Sequence, residues 1–332
     1  MIISFFCNCN SAVGYGHFFR CLNLARALKV HNEKVIINFA GDLNNFACKL
    51  LVGFDFKFEA IKDSYFKNVS FYLKKAHESN IVIVDSYLIY QKFLDKLKML
   101  EFKLIVIDDF NSLNFENIDL IINFTICAEK LHYKSNDAAL GIRYFINNPE
   151  LIAIRERKVL KFKQAIDNIL VFISGITFRN GNSIQVIIDS IDKSFNHLTI
   201  YLISNQYINF ISANNNALMQ YAFVENIESL YEKADFVVSG GGLVKYESAF
   251  CCVPNAAISV TNDQLNETID FEKMGLTLNW GIVEEINKDR LIMNFQNIIK
   301  NTKLREKIWN NCVNIFKTDS TINLANKILS KL

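Results

Sequence analysis

The residue whose type and position most favour chemistry is His17, which directly follows two closely spaced glycines, Gly14 and Gly16. An apolar run over residues 1–6 precedes them, and apolar side chains recur at helical spacing afterwards, so the pattern predicts a strand, a glycine loop and a helix. The first N–H groups of such a helix are unpaired and favour an anion, and imidazole can take up a proton near neutral pH. The sequence therefore predicts a general base beside an anion-binding loop. Phe19 stands where a dinucleotide-binding motif has its third glycine, so a helix-capping histidine is the alternative.

A second glycine loop consists of Gly240, Gly241 and Gly242, between a predicted buried strand and a predicted helix that begins at Leu243. Three glycines let a ligand approach the backbone closely, and the helix again presents free N–H groups. Glu247 lies one turn into this helix, where its carboxylate could accept hydrogen bonds from sugar hydroxyls. A glutamate near a helix N-terminus is also a favourable partner for the helix dipole, so both interpretations stay open.

Acidic residues follow two other predicted buried strands. Asp85 follows the apolar run 81–84, with Tyr87 close behind, and Asp108 and Asp109 follow a second such run. Ligands bind at the carboxyl edge of open parallel sheets, so these side chains are candidates by position. Capping of the next helix is the alternative explanation, and it applies to Asp109 at least equally well.

Two further loops are candidates in the second half of the chain. Gly175 follows a predicted strand that begins at Asn168, and Asn262-Asp263-Gln264 is predicted as a polar loop after another strand. Asn262 and Asp263 would also serve as helix N-caps, which is the structural alternative for that loop.

The elements that position these residues alternate between strand and helix, and the alternation restarts after an interruption. A chain of 332 residues is too long for one ordinary core, so two domains are expected. The pattern breaks down between residues 141 and 164, and we place the connection there, which predicts an α/β protein with domains at 1–145 and 146–332.

Composition excludes several other classes. The formal net charge is +2, so binding to nucleic acid has no electrostatic support. The eight cysteines match no zinc spacing and predict reduced thiols in a cytoplasmic protein. The N-terminus lacks the basic region of a signal peptide, and no apolar run is long enough for a transmembrane segment.

The pattern resembles the two-domain GT-B superfamily and, within it, the nucleotide-sugar hydrolase of pseudaminic acid biosynthesis, which acts on a UDP-linked diacetamido-trideoxy-altrose. The similarity is spread along most of the chain. The hydrolase family carries the motif GxGHxxRCLxLA, and this chain matches it at Gly14, Gly16, His17, Arg20, Cys21, Leu22, Leu24 and Ala25. Further similarity lies at 83–87, 106–109, 119–123, 234–247 and 262–264.

The resemblance implies two Rossmann-type domains with a cleft between them, in which the anomeric bond of a UDP-linked amino or deoxy sugar is hydrolysed. It assigns His17 as the base that activates water, with no metal or other cofactor. The implied substrate-binding residues are Asn8, Gly14, Gly16, Arg20, Asp85, Tyr87, Asn262 and Gln264. The implied nucleotide-binding residues are Gly175, Gly240, Gly241, Gly242, Leu243 and Glu247.

Some positions depart from the family pattern and support alternatives. Asn8 replaces an aspartate, Phe6 replaces a basic residue, and 175–178 replace Gly-Gly-Ser-Asp. Leu243-Val244 replace Ser-Thr, which makes this loop similar to that of the N-acetylglucosaminyltransferase of peptidoglycan synthesis. One alternative is therefore a GT-B glycosyltransferase that moves a sugar, including a nonulosonic acid, from a UDP or CMP donor to a surface glycan or flagellin. Another alternative is a catalytically silent nucleotide-sugar sensor or partner-binding module.

Overall fold

The computed structural model describes residues 1–173 and 182–331, and the chain divides into two compact units. Unit 1 comprises Met1–Asn147 and Thr318–Leu332, and unit 2 comprises Asn148–Lys317. The sequence predicts domains at 1–145 and 146–332. The break between the units lies between Asn147 and Asn148, two residues after the predicted boundary, and the C-terminal segment belongs to unit 1 instead of unit 2.

Unit 1 is built on a parallel sheet with the strand order β3-β2-β1-β4-β5-β6-β7. Its strands are β1 (Ile2–Cys7), β2 (Ile36–Gly41), β3 (Lys57–Ala60), β4 (Ile81–Asp85), β5 (Lys103–Ile107), β6 (Leu120–Asn123) and β7 (Ala138–Leu140). Its helices are α1 (Gly16–His31), α2 (Asn45–Gly53), α3 (Val69–His77), α4 (Gln91–Lys98) and, at the C-terminus, α12 (Ser320–Leu329).

The central strands of unit 1 are buried on both faces, which explains their continuous apolar sequences. All five residues of β4 are buried, and the sheet packs α3 and α4 against a core that includes Phe66, Tyr72 and Phe93. The strand order reverses between β1 and β4, where Cys7 is paired with Asp85. Such a switch point leaves a crevice at the carboxyl ends of the two strands.

Helix α12 joins unit 1 through buried contacts that lie far apart in sequence. The hydroxyl of Ser320 donates a hydrogen bond to the carbonyl of Phe145 at 2.7 Å, and the backbone N–H of Asn147 donates to the hydroxyl of Thr321 at 2.9 Å. Near the other end, Lys327 lies 2.7 Å from Asp137. Local patterning carries no signal for these contacts, which is why the sequence assigns the helix to the second domain.

Unit 2 repeats the design with a parallel sheet in the order β10-β9-β8-β11-β12-β13. Its strands are β8 (Asn168–Phe172), β9 (Thr199–Ile203), β10 (Ala217–Tyr221), β11 (Phe236–Gly240), β12 (Asn255–Ser259) and β13 (Leu278–Ile282). Its helices are α5 (Glu150–Lys158), α6 (Ser183–Ser194), α7 (Glu228–Lys233), α8 (Leu243–Phe250), α9 (Asn262–Lys273), α10 (Lys288–Lys300) and α11 (Thr302–Ile315).

One predicted loop of unit 2 is a helix. Residues 262–264 form the first turn of α9, and the N-cap is Thr261, whose side chain accepts a hydrogen bond from the backbone N–H of Gln264. The prediction of a polar loop there is therefore wrong. The cause is the preceding threonine, which satisfies the helix N-terminus so that Asn262 and Asp263 can enter the helix.

Two general features complete the description. Each of the eight cysteines is a free thiol. Every helix within residues 1–173 and 182–331 is too short or too polar to cross a lipid bilayer.

Candidate active site

His17 and Asp85 form a hydrogen-bonded pair at the carboxyl edge of the unit 1 sheet. His17 is the second residue of α1, Asp85 is the last residue of β4, and Nδ1 of His17 lies 2.6 Å from Oδ1 of Asp85. Because β1 and β4 meet at the switch point, the loop after β1 delivers the histidine to the end of β4. The structure thus brings together two residues that the sequence singled out separately.

Asp85 decides which nitrogen of His17 can act as a base. An ionised carboxylate only accepts hydrogen bonds, so Nδ1 carries the proton and donates it to Asp85. Nε2 then holds the lone pair, and it has no hydrogen-bond partner among residues 1–173 and 182–331. The side chain of His17 is 8% exposed. This is the geometry of a general base that a buried carboxylate holds in one orientation.

Arg20 fixes that carboxylate. Its Nε lies 2.5 Å from Oδ2 of Asp85 and its Nη2 lies 2.6 Å from Oδ1, which is a bidentate ion pair. Burial opposes ionisation of Asp85, but the electrostatic and hydrogen-bonding interactions with Arg20 and His17 outweigh it and lower the pKa of Asp85 to about 2. The expectation that Arg20 and Asp85 bind substrate directly is replaced by a positioning role, because both side chains are buried and bonded to each other.

Asp109 extends this network to Tyr87. Nη1 of Arg20 lies 2.9 and 3.1 Å from the two carboxylate oxygens of Asp109, and the hydroxyl of Tyr87 donates to Asp109 at 2.5 Å. The sequence left Asp109 as an equally good helix cap, and the signal that could have favoured a site role is its place after a strand adjacent to β4. Asp108 instead accepts a hydrogen bond from Tyr133 at 2.6 Å.

The glycine loop before α1 makes a tight turn between β1 and the helix, as the sequence predicts. Gly14 has a φ of +79° and its N–H donates to the carbonyl of Asn10, which closes a tight turn that favours glycine. Gly16 is exposed, and a side chain there would meet open space. The N-cap of α1 makes no side-chain hydrogen bond. This loop therefore leaves backbone at the helix N-terminus accessible.

Asn8, predicted to bind substrate, lies inside unit 1 instead. It is 1% exposed, its Nδ2 donates to the carbonyl of Ser64, and its Oδ1 accepts from the backbone N–H of Asp42, both at 2.9 Å. An amide that satisfies two backbone groups of neighbouring loops is held there by those bonds. The structure gives Asn8 the role of holding these loops together.

In unit 2, the glycine triplet ends β11 at its switch point beside β8 and leads into α8. A Cβ at Gly241 would lie 2.8 Å from both Oγ of Ser259 and Cβ of Gln264, so glycine is required by close packing. Gln264 accepts a hydrogen bond from the N–H of Val260 through Oε1. Its Nε2 lies beside Gly242 and has no hydrogen-bond partner in the described part of the chain. Gln264, which the sequence predicts to bind substrate, therefore packs against the glycine triplet, and its amide nitrogen lies beside the loop.

Replacing Gly241 with alanine is expected to lower the free energy of unfolding by about 1–3 kcal/mol, because the new methyl group overpacks this contact. Gly242→Ala is the matched control, since its Cβ would lie 3.7 Å from Gln264 and fits. Urea denaturation measures both. Equal stability of the two variants would contradict the packing requirement at Gly241.

Glu247 lies one turn into α8 and is only partly exposed. The hydroxyl of Tyr231 donates to its carboxylate at 3.0 Å. Burial raises the pKa of Glu247 to about 7, and the hydrogen bond from Tyr231 opposes that rise in part. The carboxyl group of Glu247 is therefore partly removed from water without any ligand. A surface glutamate that only interacts with the helix dipole would stay hydrated.

Glu247→Gln tests this environment through the pH dependence of stability. The carboxyl pKa is about 7 in the folded protein, whereas the ordinary pKa of a glutamate is 4.5. The stabilising contribution of the protonated form is thus complete below pH 4.5 and is lost as the pH rises through about 7. We expect the melting temperature of Glu247→Gln to gain on the wild type between about pH 5 and about pH 8. If the melting temperatures of the wild type and Glu247→Gln change in parallel with pH, the raised pKa of Glu247 is contradicted. Glu228→Gln on α7 serves as the control.

Lys245, also on α8, is a residue that the sequence did not single out. Its side chain is fully buried, and its Nζ lies 3.3 Å from the hydroxyl of Thr268 and 3.4 Å from Glu267. Burial lowers its pKa. A lysine in an amphipathic helix normally indicates a solvated face, so no local signal predicts this inward position.

The remaining predicted residues are less informative. Leu243 begins α8 and Asn262 is exposed at the start of α9. Gly175 lies outside the described residues. Among the described residues, no group of three or more His, Cys, Asp or Glu side chains could hold a metal ion. Independence from metals stays a prediction.

Comparison with solved structures identifies the fold of the chain. MurG of Acinetobacter baumannii superposes with a TM-score of 0.69 over 99% of both chains at 11% identity. UGT89C1 of Arabidopsis thaliana gives a TM-score of 0.71 at 7% identity, covering 98% of this chain and 99% of that one. This chain has the GT-B fold. The predicted α/β class with two Rossmann-type domains is thereby confirmed.

The other comparisons add one further structure and one uncharacterised relative. A UGT transferase of Siraitia grosvenorii, solved in complex with UDP, has a TM-score of 0.66 at 11% identity over 99% of both chains. An uncharacterised protein of Methanocaldococcus jannaschii is 24% identical over 260 residues, which is 73% of this chain and 52% of that protein. The chain thus spans about half the length of this curated relative. No family model matches.

Proposed function

We propose that the protein is a glycosyltransferase that takes a sugar from a nucleotide donor, with His17 as the catalytic base. The observation that carries this proposal is the His17–Asp85 pair at the switch point of a GT-B unit. A base whose proton-accepting nitrogen is unpaired and whose other nitrogen is held by a carboxylate suits the activation of a hydroxyl.

The reaction follows from these groups. Nε2 of His17 takes the proton of an acceptor hydroxyl while that oxygen forms a bond to the anomeric carbon of the donor sugar. The bond between that carbon and the nucleotide diphosphate breaks, and the diphosphate leaves with the electron pair. Asp85 stabilises the imidazolium that forms. A nucleoside diphosphate is already a good leaving group, so no carboxylic acid is needed to protonate it.

We assign the nucleotide to unit 2. The backbone N–H groups of Gly241, Gly242 and the first turn of α8 would stabilise the charge of the diphosphate. The free amide of Gln264 beside Gly242 supports this assignment. Glu247 would accept hydrogen bonds from hydroxyls of the ribose. UDP is the first nucleotide to test because a GT-B neighbour was solved in complex with it.

Hydrolysis is the second candidate, because the segment from Gly14 to Ala25 matches the motif GxGHxxRCLxLA of the pseudaminic acid hydrolase family. The same base would then take a proton from water. The products differ accordingly: a hydrolase releases free sugar, whereas a transferase forms a new glycosidic bond.

Incubation of the purified protein with a panel of UDP- and CMP-sugars, including CMP-linked nonulosonic acids, separates the candidates. Turnover that appears when saccharide acceptors are added supports the transferase. Rapid release of free sugar without acceptor supports the hydrolase and contradicts transfer. Nucleotide binding in calorimetry without turnover of any donor would favour a sensor or partner-binding module, and absence of binding would contradict every candidate.

A further inference from the structure

Two exposed aromatic rings, Tyr87 and Phe110, pack against each other with their planes tilted by 51°, and Tyr87 also contacts His17. We call these two rings the aromatic platform. Their ring centroids are 4.9 Å apart, and the ring of Tyr87 lies 4.3 Å from that of His17 at nearly a right angle. Tyr87 is 55% exposed and Phe110 is 43% exposed. They follow the adjacent strands β4 and β5, so both occupy the carboxyl edge of the unit 1 sheet.

The platform is held in place by the same bonds that hold the base. Tyr87 donates its hydroxyl proton to Asp109, Asp109 accepts from Arg20, and Arg20 binds Asp85, the partner of His17. These bonds hold the ring of Tyr87 beside His17.

Phe110 is held through its backbone, whose N–H donates to Asp108 at 3.0 Å. Exposed aromatic surface is unfavourable in water. The ring of Tyr87 beside His17 and the ring of Phe110 packed against it thus form an exposed apolar surface that a ligand could cover.

We propose that the aromatic platform binds the apolar face of a pyranose ring in a saccharide acceptor. One face of a pyranose presents C–H groups, which suit the electron-rich face of an aromatic ring. Fixed aromatic side chains also supply contact area at little cost in conformational entropy. This assignment rests on the glycosyltransferase function proposed above. The nucleotide of the donor is assigned to unit 2, and the acceptor hydroxyl must reach Nε2 of His17, so we assign the pyranose on the platform to the acceptor.

Saturation-transfer NMR tests the platform without any nucleotide. The probes are the methyl β-glycosides of N-acetylglucosamine and galactose, with the open-chain polyol sorbitol as the ligand control. We expect saturation transfer to a pyranoside in the wild type, its loss in Phe110→Ala, and its retention in Tyr65→Ala. Tyr65 is a matched control because it lies in unit 1, is 57% exposed, and packs beside Lys67. No transfer in the wild type, equal transfer in Phe110→Ala, or equal transfer to sorbitol would overturn the proposal.

Kinetics then test the assignment to the acceptor. With a donor and acceptor found in the panel, Phe110→Ala is expected to raise the KM of the acceptor about tenfold and to leave the KM of the donor within about twofold. A rise confined to the donor KM would overturn the acceptor assignment. If the panel shows no turnover, the proposed function fails, while the NMR experiment still decides whether the platform binds a pyranose.

Discussion

Replacing His17 with alanine is expected to lower the turnover number by about 100- to 10,000-fold, the usual contribution of a general base. The affinity for UDP should change little, because the nucleotide is assigned to residues of unit 2. Steady-state kinetics on an active donor and acceptor pair measure the first effect, and calorimetry with UDP measures the second.

His77→Ala is the matched control, because His77 is an exposed histidine of the same unit at the end of α3. It should retain wild-type turnover and wild-type affinity. Full activity of His17→Ala would remove His17 from the mechanism. A large loss of UDP affinity in that variant would instead contradict the separation of base and nucleotide between the two units.

Asp85→Ala is expected to lower the free energy of unfolding by up to about 3–5 kcal/mol, because breaking this buried ion pair removes part of the negative charge that compensates Arg20. Arg20 would lose both hydrogen bonds to Asp85 and keep Asp109 as its acidic partner. Urea denaturation, followed by far-UV circular dichroism, measures this loss. A midpoint equal to that of the wild type would contradict the proposed role of Asp85.

Asp85→Asn separates the effect on stability from the effect on orientation. An asparagine fills the same space but presents an amide that can turn either its oxygen or its nitrogen towards His17, so turnover should fall even where the variant is folded. The carboxyl group of Asp85 has a pKa of about 2 in the folded protein, whereas the ordinary pKa of an aspartate is 3.8. Its stabilising contribution is thus present above pH 3.8 and is lost as the pH falls through about 2. The stability difference between wild type and Asp85→Asn should therefore narrow over that range.

Much of the fold could be predicted from local sequence. Apolar runs such as 81–84 are long enough for a strand and too short for a helix, and their alternation with helical patterns predicts parallel sheets. Glycines also carry local information, since Gly14 adopts a backbone conformation that favours glycine. His17 and the glycine triplet are therefore recognisable as candidate site residues from the sequence.

The partnerships within the site were decided by the tertiary structure. Asp85 lies 68 positions beyond His17, and β1 and β4 bring the two together through a register that no local pattern encodes. Likewise, Arg20 meets Asp109 across 89 positions. The sequence could therefore name these residues as candidates but not distinguish a carboxylate that orients the base from one that binds substrate.

The rest of the molecule shows the same contrast between local sequence information and contacts made by distant segments. Local sequence is sufficient to predict the alternating strands and helices and the two glycine loops, because secondary structure and turn chemistry depend on neighbours along the chain. Only the folded structure shows that α12 belongs to unit 1, that Asn8 and Lys245 are buried, and that Tyr87 contacts both His17 and Phe110. These features depend on contacts between segments that are distant in sequence, and local sequence patterns carry no information about the free energies of such contacts.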